Sequence, residues 1–173
     1  MSEIKNILLT GLPGVGKTTI IRKIVEKLKD KCAGFYTEEV REHNKRIGFK
    51  LITLNGRSCI MAHKNMESYY RVGKYGVNIE CIEETGVKAI KNAIAQNKII
   101  IIDEIGKMEL FSEEFKKAVI DALNSKCPVL ATILYLTNSF CDKIKKREDV
   151  KVFEVTHSNR NQLVQQIIEI MLS

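Results

Sequence analysis

Two kinds of apolar pattern alternate along the chain. Continuous apolar runs at Ile4 to Thr10, Lys98 to Ile102, Pro128 to Thr132 and Lys151 to Val155 read as strands buried on both faces. Between them apolar residues recur at helical spacing. Thr18 to Lys31 carries Ile20, Ile21, Ile24, Val25 and Leu28, and Glu80 to Asn97 carries Ile82, Val87, Ile90, Ala93 and Ile94. Further helices are predicted to about Asn124, over Thr137 to Lys146 and over Ser158 to Leu172. The first of these opens on Ser112 with Glu113 and Glu114 behind it, a capping hydroxyl followed by acids in the first turn. Residues 34–80 differ. Gly34 to Glu42 and Lys45 to Leu54 are rich in β-branched and aromatic residues and flank a turn near His43 and Asn44. Asn55-Gly56 is a second hairpin signal, with Arg57 to Ala62 returning, and Tyr70 to Ile79 is extended with bends at Gly73 and Gly76. The expectation is an α/β fold: a mainly parallel sheet, helices on both faces, and an antiparallel β insert over about 34–80. No repeat, low-complexity stretch or linker interrupts residues 1–173, so a single domain is expected.

Composition changes this picture little. Of 173 residues, 45% are hydrophobic and 28% charged, the balance of a globular protein with a proper core. No apolar run approaches a membrane span, and the start of the chain leads straight into the first strand with no signal peptide pattern. Cys32, Cys59, Cys81, Cys127 and Cys141 are scattered without a C-x-x-C pair, so free thiols in the cytoplasm are expected rather than a metal-thiolate site. The net charge of +7 is compatible with nucleic acid. That partner is not favoured: the lysines sit mostly on polar helix faces, no basic cluster alternates with aromatics, and a polyanionic substrate accounts for part of the excess. No protein partner is indicated.

Candidate chemistry begins after the first strand. Gly11, Leu12, Pro13, Gly14, Val15, Gly16, Lys17 and Thr18 match G-x-x-x-x-G-K-[ST], the phosphate-binding loop, with Thr19 next in the helix. Glycines let successive backbone N–H groups turn inward around an anion, and the helix N-terminus adds its positive dipole end. Lys17 is expected to reach the β- and γ-phosphates, and the Thr18 hydroxyl to ligate Mg2+.

Ile99 to Ile102 followed by Asp103 and Glu104 has the form of a Walker B element, with two acids at the carboxyl end of a buried strand, where a parallel sheet binds ligands. Asp103 is expected to hold Mg2+ and Glu104 to polarise a water for attack on the γ-phosphorus. The adjacent glutamate favours water activation over phosphoryl transfer to another acceptor. It also predicts that Val129–Thr132 lies between Ile4–Thr10 and Ile99–Ile102, with Thr132 facing the γ-phosphate. Lys107 reads either as a cation stabilising transition-state charge or as a lysine paired with Glu109 or exposed. Arg160 reads as a stacking group for the base, while helix capping by Ser158 or Asn159 explains the same letters. Arg46 and Arg71 fall in the insert in a lid-like position; His43, His63 and His157 read as surface, and Met61, Met66 and Met108 as packing.

Five blocks add a resemblance: Gly34 to Arg41, Arg46 to Phe49, Val72 to Tyr75, Ile102 to Phe111, and Asp149 to Thr156 with Asn159, Arg160 and Asn161. In collinear order over nearly the whole chain, they closely resemble the THEP-type nucleoside-triphosphatase family. The resemblance implies a RecA-like P-loop fold with slow, Mg2+-dependent hydrolysis of several nucleoside triphosphates. It places the family's nucleotide-contacting segments on Gly11–Thr18 and around Ile100, Ile101, Ile102, Asp103, Glu104, Ile105, Gly106 and Lys107. No guanine-reading Asn-Lys-x-Asp motif occurs, so ATP, GTP, CTP and UTP are all expected substrates. A small-molecule or nucleotide kinase and a nucleotide-switched binding module are the alternative readings.

Overall fold

The computed structural model describes residues 3–173; Met1 and Ser2, where the signal-peptide reading begins, lie outside the described residues. The chain runs β1 (Asn6–Thr10), α1 (Lys17–Leu28), β2 (Cys32–Glu42), β3 (Lys45–Thr53), β4 (Ser58–His63), β5 (Arg71–Val72) and β6 (Tyr75–Val77). It continues with α2 (Ile79–Cys81), a π-helical turn (Ile82–Val87), α3 (Lys88–Ala95), β7 (Ile99–Ile105), α4 (Glu113–Asn124), β8 (Val129–Ile133), α5 (Ser139–Lys145), β9 (Val150–Glu154) and α6 (Arg160–Leu172). All nine strands join one sheet in the order β5-β6-β4-β3-β2-β7-β8-β1-β9.

β2, β7, β8, β1 and β9 pair in parallel and are covered on both faces. Alternate side chains serve the two faces, as a strand's two-residue period requires. Ile7, Leu9, Ile101 and Leu130 pack with Ile20, Ile21 and Ile24 of α1 and Leu163 and Ile167 of α6. Leu8, Ile100, Ile102 and Ala131 pack with Ile90 of α3, Phe115 and Val119 of α4 and Ile144 of α5. Full burial of each such aliphatic side chain stabilises the fold by about 1.5–3 kcal/mol. The long isoleucine run of β7 therefore fixes the centre of the sheet.

The predicted elements are present, with four differences. The insert is not set apart from the main sheet. β2 pairs in parallel with β7 through Cys32–Phe35, then continues as the first arm of the hairpin with β3, because its eleven residues outrun the core strands. Tyr70 to Ile79 is not one extended segment, since β5 and β6 form a short hairpin of their own. The helix over Glu80 to Asn97 contains the π turn, and there Gly86 lets the backbone sit close to Leu51 and Phe35. The cysteines are not all free thiols. Packing of α2 across β4 brings Cys59 and Cys81 to a Cα–Cα distance of 5.9 Å, and they form a disulfide. Cys32, Cys127 and Cys141 remain free and buried. Burial pushes the thiols of Cys32 and Cys141 up to about 11. Among the described residues no helix is long and apolar enough to cross a membrane.

Candidate functional site

The site forms where β1 and β7 end, at the carboxyl edge of the parallel strands. β1 ends at Thr10, the glycine loop follows, and α1 begins at Lys17 with Gly16 as its N-cap at φ 110°. Gly11 has φ 145°, and a Cβ there would stand 2.8 Å from the carbonyl oxygen of Val155, so only glycine lets the loop pass the end of β9. Lys17 Nζ donates to the carbonyl oxygens of Gly11 at 2.5 Å and Leu12 at 3.3 Å, which holds the ammonium across the loop. Burial lowers its pKa, while Glu104 and Asp103 pull it back up.

β8 lies between β1 and β7, the arrangement expected from the adjacent acids. Their register shifts between Ile102 and Ile105, and the Asp103–Glu104 peptide is cis. Asp103 is buried, and its Oδ1 accepts from Thr132 Oγ1 at 2.6 Å. Its Oδ2 is buried with no hydrogen-bond partner. Such an oxygen is costly unless a ligand completes it. Burial raises the Asp103 carboxyl, against the hydroxyls of Thr132 and Thr18 and the charges of Arg22 and Lys17. Glu104 is raised by burial and then by the Asp103 charge, with Lys17 opposing.

Thr132, expected to face the γ-phosphate, lies beside the acid pair. Its side chain is 1% exposed and its hydroxyl is committed to Asp103, so it orients the acid. Lys107 is exposed and makes no ion pair among the described residues, and Glu109 is not its partner. Glu109 is 2% exposed and its Oε2 accepts from the Gly106 N–H at 3.1 Å, which pins the segment following Glu104. Burial raises the Glu109 carboxyl well above its ordinary value, and repulsion from Glu104 adds to it. A Cβ at Gly106 would stand 2.7 Å from Glu104 Oε1, so any side chain there would displace the Glu104 carboxylate.

The capping reading falls on Asn159, which makes no side-chain cap bond to α6, and Arg160 follows it as the first residue of the helix. Asn159 is the N-cap residue of α6 and braces the preceding turn, accepting from Thr156 N at 2.8 Å and donating to Glu154 O at 2.8 Å. Arg160 Nη1 reaches Val15 O at 3.4 Å, beside the phosphate loop. A cavity of about 210 Å3 opens there, lined by Gly16, Thr19, Ile20, Lys23, Arg160 and Asn161. Arg46 and Arg71 are not free lid cations: Arg46 bonds Tyr75 Oη at 3.0 Å and Glu39 at 3.3 Å, and Arg71 bonds the backbone of Met66 and Lys74.

Sequence reasoning missed Glu109, Lys23 and Arg22. Arg22 lies one helical turn beyond Thr18, bonds Glu38 at 2.6 Å and stacks 4.5 Å from the centre of the Tyr36 ring. The only signal for Glu109 was an acid set among Met108, Leu110 and Phe111, an apolar context that burial explains. Nothing in their spacing distinguishes Arg22 or Lys23 from the other cations of α1.

Known proteins share this architecture. A family model described as NTPase matches residues 6–168. Nucleoside-triphosphatase THEP1 of Thermotoga sp. (strain RQ2) is 49% identical over 165 residues, covering 95% of this chain and 94% of that protein. A cancer-related nucleoside-triphosphatase homolog of Mus musculus is 38% identical over 185 residues, covering 98% and 97%. The crystal structure of THEP1 from Aquifex aeolicus superposes with a TM-score of 0.90 at 38% identity, over 97% of this chain and 99% of that one. The solution structure of a human cancer-related nucleoside triphosphatase gives 0.82 at 39% identity, over 95% and 96%. Glycine loop, paired acids, strand order and these matches together place the chain in the P-loop nucleoside-triphosphatase family.

Proposed function

We propose that this chain, acting as one domain, hydrolyses nucleoside triphosphates to diphosphate and phosphate, slowly and with little regard for the base. The observation that carries the reading is the unpartnered, buried Oδ2 of Asp103 beside Glu104 at the mouth of the glycine loop. A hard cation suits that oxygen, so Asp103 and the Thr18 hydroxyl are the residues to hold Mg2+. The ion would supply positive charge there to offset the negative charge that develops on the transferring phosphoryl group. Backbone N–H groups of Gly14 to Thr18 would cradle the β-phosphate, and Lys17 would release its loop carbonyls to reach the γ-phosphate. Glu104 would orient a water and accept its proton. Glu109 would hold Gly106, and through it the place of Glu104. Arg160 would lie over the base, a contact every base can make. Lys107, exposed three residues after Glu104, would offset charge on the transferring phosphoryl.

A cytoplasmic setting goes with a triphosphate substrate. It no longer rests on the cysteines, since Cys59 and Cys81 are bonded. The kinase reading is weakened by β8 standing between β1 and β7 and by the engagement of Arg46 and Arg71 within the insert. The test is phosphate release from ATP, GTP, CTP and UTP, with and without Mg2+ and with candidate acceptors. Phosphate appearing in water, dependent on Mg2+ and unaffected by acceptors, supports the proposal. Release only with an acceptor supports the kinase, and nucleotide binding without release supports the switched module.

A further inference from the structure

A second cavity lies at the opposite end of the sheet from the glycine loop. It has a volume of about 480 Å3, within the range of small-molecule pockets. The start of β2, the residue before β7, the β3–β4 turn, the end of α1 and one side of α3 enclose it. Because β1, β8, β7 and β2 are parallel, the beginnings of β2 and β7 are remote from the ends where the phosphate loop and the acids gather. None of its lining residues belongs to the site described above.

Its chemistry is specific in charge. Lys29, Arg57 and Lys98 line it without an ion pair or side-chain hydrogen bond among the described residues. A fourth cation, Lys88, is bonded to Glu84 at 2.6 Å, and Asp30 is the other acid. The cavity thus carries two more cations than carboxylates, which matches the charge of about −1.5 to −2 on a phosphomonoester near pH 7. Asn55, Asn92 and Gln96 supply amides that both donate and accept, the groups needed to hold a hydroxylated or heterocyclic body. Val25, Leu54 and Ala89 provide the apolar part.

Two backbone features converge on the same place. The π turn at Ile82–Val87 brings Glu84 and Thr85 to the rim, and such turns are rare and frequently accompany functional sites. Lys29 holds φ 45° and ψ −115°, a conformation that residues with a Cβ rarely adopt, and it lines the cavity from the end of α1.

We infer that this cavity binds an organic phosphomonoester of about the size of a nucleoside monophosphate. Arg57 and Lys98 engage its phosphate, and Asn55, Asn92 and Gln96 engage its polar body. Guanidinium and ammonium together suit a phosphate dianion, Arg57 through paired N–H donors and Lys98 as a point charge.

The test is titration of the Lys17→Ala protein, impaired at the phosphate loop, with AMP, ribose 5-phosphate and inorganic phosphate, followed by backbone amide NMR. The expected result is saturable binding of AMP or ribose 5-phosphate that shifts amides of Ala33, Asn92 and Lys98 and leaves Gly14 to Thr18 unmoved. Which of the two binds more tightly tells whether the body is a nucleoside or a sugar. Arg57→Ala and Lys98→Ala, made separately on this background, should each weaken the binding at least about tenfold. No saturation by about 10 mM would overturn the inference, since it leaves less than about 3 kcal/mol of binding free energy. Shifts confined to the phosphate loop, inorganic phosphate binding as tightly as the organic esters, or affinity indifferent to both substitutions would overturn it too. None of these outcomes bears on hydrolysis at the other end of the sheet.

Discussion

Thr132 Oγ1 donates to Asp103 Oδ1 at 2.6 Å, joining the middle strand of the parallel sheet to the acid at the end of its neighbour. The bond satisfies one oxygen of a buried carboxylate and leaves the other for a cation. A hydrogen bond to a charged group contributes about 1.5–3 kcal/mol, and removing it leaves the carboxylate free to rotate. Thr132→Val keeps the shape and deletes the donor. It should raise the Mg2+ concentration for half-maximal phosphate release by about tenfold or more, with nucleotide affinity little changed. An unchanged Mg2+ requirement would show that Asp103 is held by its strand alone.

Lys17→Ala should abolish turnover and most triphosphate affinity. The ammonium already lies across the loop, 2.5 Å from Gly11 O, and no other side chain donates to that carbonyl among the hydrogen bonds of the described residues. Nucleotide titration and phosphate release check this, and turnover near the normal rate would sink the phosphate-loop assignment.

The buried Glu109 makes stability depend on pH. Its folded pKa stands well above the ordinary value of 4.5, so between those two values the folded state binds more protons than the unfolded chain. Stability therefore falls as pH rises through that interval. Glu109→Gln keeps an acceptor for Gly106 N–H without the ionisation. In metal-free, nucleotide-free protein, its Tm should decline less between pH 5 and 8 than that of the natural chain. Parallel declines would mean that Glu109 ionises freely in the fold.

Base selection should be weak. The cavity beside Arg160 offers Lys23 and Asn161 but no carboxylate to accept from a guanine edge. Discrimination is large when a buried polar edge is left unpaired and small when stacking and phosphate contacts do the binding. We predict kcat/KM values for ATP, GTP, CTP and UTP within about tenfold, or about 1.4 kcal/mol. A preference above about a hundredfold would reveal a base pocket formed only on binding.

Much of this was legible in the chain, because local chemistry and global fold agree there. The glycine loop declares itself by spacing, and the isoleucine run before Asp103 declares a strand buried on both faces. Even the place of β8 followed from the glutamate beside Asp103. What was hidden depends on contacts made at a distance. The path of β2 from the core into the hairpin is set by pairing with both β7 and β3. The Cys59–Cys81 bond depends on α2 crossing β4. Glu109 resembled a surface acid until its burial and its bond to Gly106 N–H were seen. The Thr132 bond to Asp103 was not legible, since a hydroxyl's direction at a strand end depends on which acid lies across the register shift.

The central claim is that Glu104 activates water while Lys17, Thr18 and Asp103 hold the triphosphate and its metal. Its most direct test is Glu104→Gln, measured for nucleotide Kd and for single-turnover phosphate release in the same preparation. Gln keeps the shape and loses the proton acceptor, and groups in this role contribute about 10²–10⁴ in rate. The account predicts a Kd within about threefold of the natural chain and a rate lowered about a hundredfold or more. An unchanged rate with weakened binding would contradict it, making Glu104 a binding residue and placing the water elsewhere.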